Sequence, residues 1–132
     1  MKPNTTVTTT FACLVVCLWL LQAHVECAPH PVVRVMLVND YVSDIKLHCA
    51  SKEDDLGWNS IPLSGRYTIT FRPNVFGTTR WTCTVQFQDT MVSKRFRAYY
   101  YLRDHDCGPE RLCDLSIGKL DVCKRNGWCH KW

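Results

Sequence analysis

Six cysteines downstream of a removable leader constrain this chain more than any other feature. The sequence has 132 residues and nine cysteines. Cys13, Cys17 and Cys27 fall in a first segment laid out as a secretory signal peptide. One base, Lys2, precedes an unbroken apolar run over residues 11–21, and a polar exit follows with a cleavage site at Val25-Glu26-Cys27. A run of eleven apolar residues is short of the roughly 20 that a hydrocarbon core needs. Residues 1–27 are therefore expected to be removed, leaving residues 28–132 as a soluble, secreted protein. In that oxidising compartment Cys49, Cys83, Cys107, Cys113, Cys123 and Cys129 are an even set, expected to be fully paired.

About 105 residues make one small domain. Disulfides contributing about 2–4 kcal/mol each would help hold it. The hydropathy pattern has a period of two. Ile45, Leu47 and Cys49 alternate with Lys46 and His48, and Tyr67, Ile69 and Phe71 alternate with Thr68 and Thr70. Trp81, Cys83, Val85 and Phe87 alternate with Thr82, Thr84 and Gln86, and Phe96, Ala98, Tyr100 and Leu102 with Arg97, Tyr99 and Tyr101. Residues 32–38 are a further apolar stretch. Such alternation means strands with one buried face. Polar segments rich in Pro, Gly and Asn separate them, at residues 39–40, 51–60, 62–65, 72–74 and 88–93. No segment sustains a helical period. The expected fold is all-β, a small disulfide-bonded antiparallel β-sandwich of four or five strands.

From residue 103 the chain turns dense in Cys, Gly and charge, which suggests one or two short closing strands held down by bridges. The simplest pairing ties this tail to the sheets through Cys49 and Cys83 and joins Cys123 to Cys129. Six cysteines allow about fifteen connectivities, and the spacing leaves the choice open.

The formal net charge is +4, and the leader removes one base and one acid, Lys2 and Glu26. That mild surplus suits contact with acidic cell surfaces but is too small to argue nucleic-acid binding. The one glycosylation sequon, Asn4-Thr5-Thr6, lies in the leader. A secreted ribonuclease would need two converging histidines; nothing in the sequence pairs His30, His48, His105 and His130, and no GxSxG elbow or phosphate-cradling glycine loop is present. The cysteine spacings are wider than zinc knuckles prefer. Glu53-Asp54-Asp55 lacks the alternating ligands of a calcium loop. No enzyme, cofactor, metal site or small-molecule substrate is expected.

Two blocks carry a resemblance. His48-Cys49-Ala50-Ser51-Lys52-Glu53-Asp54-Asp55-Leu56-Gly57 is followed by Phe71-Arg72-Pro73-Asn74-Val75-Phe76-Gly77-Thr78-Thr79-Arg80-Trp81-Thr82-Cys83. Together they resemble the plant self-incompatibility S-protein family, with its HC-x-S-K-x-D-D-L-G and F-x-N-x-F/W-G-T-T motifs, and look most like the stigma-secreted S proteins of poppy. The tail departs from the family pattern, with Leu115 in place of a tryptophan and Trp128 in place of a proline. The resemblance implies a secreted, disulfide-bonded sandwich without enzymatic activity. It also implies a ligand, expected as a monomer, that meets a membrane receptor on incompatible pollen, triggers calcium signalling and arrests tube growth. A secreted signalling or defence protein with no mating role is the alternative.

Loops at the ends of a sandwich are free to carry recognition. The segment of residues 88–94 matches no family motif and is expected to present Asp89 and Lys94 at a hairpin tip, with Thr90 and Ser93 as further candidate receptor contacts. Asp89→Lys is expected to spare folding and abolish inhibition of matching pollen. Lys52, Glu53, Asp54 and Asp55, in the family-like loop, are expected to serve a structural or common docking role.

Overall fold

The computed structural model describes residues 30–107 and 109–132. Residues 1–27, read as a leader, lie outside the described residues. Nine strands form two sheets: β1 (Val33–Asn39), β2 (Ile45–Ala50), β3 (Asp55–Ile61), β4 (Arg66–Phe71), β5 (Arg80–Phe87), β6 (Val92–Tyr100), β7 (Leu112–Ile117), β8 (Asp121–Lys124) and β9 (Cys129–Lys131). The sheet orders are β4-β1-β7-β8-β9 and β3-β2-β5-β6. One helical turn, α1 (Tyr101–Asp104), follows β6. No helix among the described residues is long and apolar enough to cross a membrane.

The inward residues of both sheets share one core. Val35, Leu37, Ile45, Leu47, Val85, Leu115 and Ile117 are fully buried. Phe71 of β4 reaches across to Trp81 of β5 and Tyr99 of β6, with ring centroids 5.7 and 4.8 Å away. Trp132, the last residue, lies edge-on to Phe87 and Phe96.

The structure corrects the sequence reading in four places. First, β3 occupies most of a segment read as a turn. It is an edge strand whose one fully buried side chain is Ile61, so its sequence carries no apolar alternation. Second, the phase of β6 breaks. Trp81 faces Tyr99 while Thr82 faces Arg97, a bulge that buries Ala98 and Tyr99 in succession and turns every later side chain over. Leu102, expected inside, is therefore in solvent on α1.

Third, the tail contributes three strands, and it docks by main-chain pairing: β7 runs parallel to β1 from Arg34↔Leu112 to Asn39↔Ile117. Among the described residues this is the one parallel ladder; the other strand pairs are antiparallel. Fourth, Cys49 and Cys83 bridge each other and not the tail. They sit directly opposite on β2 and β5, with Cα atoms 4.0 Å apart. Cys107 pairs with Cys113 across the turn into β7, and Cys123 pairs with Cys129 as expected.

Candidate functional site

The strand directions sort the connections into two ends. The β1–β2, β3–β4, β5–β6 and β7–β8 loops gather at one end, and the β2–β3, β4–β5 and β8–β9 loops gather at the other with α1. The sequence-predicted residues divide between them. Asp89 and Thr90 are at the first end, and Lys52, Glu53, Asp54 and Asp55 at the second. The six residues of β2 separate the two groups, about 17 Å at strand rise. Ser93 and Lys94 are not at the tip: β6 begins at Val92, and they pair with Gln86 and Val85 inside the ladder.

The first end is built on a residue that sequence analysis missed. Asn39 is fully buried at the end of β1. Its Nδ2 donates to the Ser43 and Ile61 carbonyls at 3.0 Å each, and its Oδ1 accepts the Tyr41 amide at 2.9 Å. Asp44 then joins two more loops, its carboxylate accepting Leu63 N–H at 3.3 Å and its carbonyl accepting Gln88 N–H at 3.2 Å. The Ser116 hydroxyl donates to Asp40. Asp89 is not a free rim charge: it accepts the Tyr41 hydroxyl at 3.0 Å. Burial and the Asp89 carboxylate raise the Tyr41 pKa above the usual phenol value. On this bonded frame each loop exposes one large apolar side chain, Val42, Leu63, Met91 and Leu120. Met91 closes the hairpin in the left-handed region at φ 59°, its amide bonded to the Phe87 carbonyl. A polar Asn followed at short range by Asp in residues 39–44 was the available signal, read only as a turn.

At the second end the two family-like blocks meet. They line an open cleft of about 670 Å³ together with Thr84 and Arg95. The β4–β5 loop folds on its own polar groups: Asn74 Nδ2 donates to Thr78 Oγ1 at 2.6 Å, Thr78 N–H returns to Asn74 Oδ1 at 2.9 Å, and Asn74 N–H reaches Thr79 Oγ1 at 2.7 Å. Gly77, at φ +68°, lies against Tyr101, where an added Cβ would sit 2.9 Å from the ring. Across the cleft the Ser51 hydroxyl accepts the Glu53 and Asp54 amides. Asp55 accepts Gly57 N–H at 2.9 Å and meets His48 Nε2 at 2.6 Å. The Gly57 amide first, and the His48 contact next, hold the Asp55 carboxyl below the usual carboxylate range. These loop residues are committed to one another.

Other chemistry weighed on the sequence resolves the same way. His30 and His105 both pack on the Tyr101 ring, at 4.8 and 5.1 Å, and His105 Nδ1 lies 2.9 Å from the Tyr101 carbonyl. Asp121, Cys123 and Cys129 cluster closely enough to hold a metal ion, but both sulfurs are in a disulfide. Behind α1, buried Asp104 accepts Arg103 Nε, the Tyr100 amide and Trp128 Nε1. The Arg103 guanidinium lies 3.6 Å from the Trp128 ring centroid. Trp128, the tail's departure from the family pattern, is thus a packing partner of the Arg103–Asp104 pair.

A family model described as plant self-incompatibility protein S1 matches residues 34–132. S-protein homolog 5 of Arabidopsis thaliana is 33% identical over 60% of this chain, which spans 65% of that relative, just under two thirds of its length. S-protein homolog 6 of the same plant is 30% identical over 77% of each chain. Among solved structures, the fold matches that of SPH (self-incompatibility protein homologue) proteins, described as a widespread family of small, highly stable, secreted proteins from plants. That match has a TM-score of 0.54 and 17% identity, and it covers 78% of this chain and 93% of the other. The two-sheet fold agrees with that structural match, and the expected secretion with that description.

Proposed function

This chain belongs to the plant self-incompatibility protein S1 family, and on that premise we propose that it is a secreted stigmatic ligand recognised by a membrane receptor on pollen. Recognition of an incompatible grain triggers calcium signalling and stops the tube. The protein acts by presenting a surface and not by catalysis. One observation carries this reading: the loop end is a rigid, hydrogen-bonded platform whose tips expose apolar side chains around Asp89. A pre-ordered surface loses little freedom on binding, and charges at its rim tune partner choice and on-rate.

The test applies secreted protein to pollen from several plants and scores tube growth. Asp89→Asn is the informative variant, because its amide oxygen still accepts the Tyr41 hydroxyl while the charge is gone. We expect it to melt like the parent and to lose inhibition of the matching pollen. Asp89→Lys removes the acceptor as well, so reduced stability accompanies the loss. Inhibition of no donor's pollen, with message in root or leaf instead of stigma, would favour a signalling or defence role outside mating.

A further inference from the structure

We propose that the cleft between the two family-like blocks, with the outer face of the four-stranded sheet beside it, binds an extended acidic saccharide of the polyuronate class. The proposal is independent of any pollen receptor. Lys52, Arg72, Arg80 and Arg95 reach one cleft from the β2–β3 loop, the end of β4, the start of β5 and β6. None forms an ion pair with an acid among the described residues. Glu53 and Asp54 also line the cleft, which leaves four bases facing two acids. Arg97 adds another cation two places beyond Arg95, opposite Thr82. Arg72 spends one donor on the His30 carbonyl at 2.9 Å; a guanidinium with no acid partner, as on Arg80 and Arg95, presents a planar fork that matches a carboxylate in two hydrogen bonds.

The rest of the lining suits a sugar. Thr78, Thr82 and Thr84 line the same cleft as the cations. Trp58, His48, Thr84 and Arg95 lie in register across all four strands, a row about 14 Å long at ordinary strand spacing. At its far end Trp58 is 52% exposed, its rings 5.2 Å from the His48 ring. An aromatic held at that edge offers a flat face to a pyranose, and the length of the row takes a run of sugars. The open cationic cleft selects acidic over neutral chains.

The full-length secretion product can be measured against immobilised polygalacturonate, its fully methyl-esterified form, single-stranded DNA and phosphatidylserine vesicles. Binding to polygalacturonate alone is expected, salt-sensitive and weakened roughly tenfold by Arg80→Ala or Arg95→Ala, the scale of one charge-assisted hydrogen bond. Trp58→Ala should weaken it as well. Lys119→Ala removes the same charge at the opposite end and should change nothing; melting temperatures check that every variant is folded. No binding, equal affinity for the esterified chain, equal loss in Lys119→Ala, or tighter binding to DNA or vesicles would each overturn the proposal.

Discussion

Asn39→Ala tests whether one buried amide holds the loop end together. The substitution removes three hydrogen bonds, two donated to the Ser43 and Ile61 carbonyls and one accepted from the Tyr41 amide. Ser43 is partly exposed, so its carbonyl can turn to water. Ile61 and Tyr41 are buried, and each orphaned backbone group costs about 1–3 kcal/mol. The sum is about 4 kcal/mol. For a domain of this size each kcal/mol lowers Tm by about 4–8 °C, so a fall of roughly 20 °C is expected in a thermal melt followed by circular dichroism. Hydrogen exchange should show the Tyr41 amide losing protection first. A fall below about 5 °C, with that amide still protected, would refute the claim that Asn39 organises this end.

The buried Tyr99 hydroxyl finds no partner among the described residues, so Tyr99→Phe should leave stability unchanged or raise it in urea melts. Burial raises its pKa to about 12; a phenol harder to ionise when folded contributes stability that is complete below the unfolded value near 10 and lost as pH rises towards 12. The parent should therefore destabilise more over that window than Tyr99→Phe, and identical alkaline profiles would contradict this. Replacing Cys49 and Cys83 by Ser opens a loop of 34 residues and should cost about 3.8 kcal/mol in the chain-entropy account. Opening Cys123–Cys129, separated by 6 residues, should cost about 2 kcal/mol, and denaturant midpoints would rank them. Gly77→Ala forces a Cβ against Tyr101 at positive φ; a loss above about 1 kcal/mol is expected, measured by the same melts.

How much was legible depended on whether a residue's neighbours lie close in sequence or across the fold. β2 and β5 announce themselves, because each has one face packed in the core and one in water, and burial there alternates without a fault. β3 is silent because an edge strand buries so little. The β6 bulge is invisible because the extra residue is defined by its partner on β5. The pairing expected for the two strand cysteines failed for the same reason, while Cys123–Cys129 was read correctly. Cys49 and Cys83 were placed correctly on inward faces, but their pairing follows from the β2–β5 register, which no spacing within either strand encodes. The tail's docking joins backbone pairing with β1 to the burial of Cys113, Leu115 and Ile117 at alternate positions of β7, and the partner strand cannot be read from the tail alone.

The site was legible in parts for a related reason. The two family-like blocks are separated by β3 and β4 in the chain, and only the return of the chain through β5 brings them to one cleft. Each block also spends most of its polar groups on its own loop: Ser51 on Glu53 and Asp54, Asp55 on Gly57 and His48, Asn74 on Thr78 and Thr79. Those residues fix shape, while Arg80 and Arg95, paired with no acid among the described residues, face the cleft. At the other end the division repeats, with Asn39 and Asp44 fixing the loops while Val42, Met91 and Leu120 face outward. Ends separated by about 17 Å of strand and sharing no hydrogen bond should respond to substitution additively. Substitutions at one end can therefore vary while the cleft at the other keeps its form.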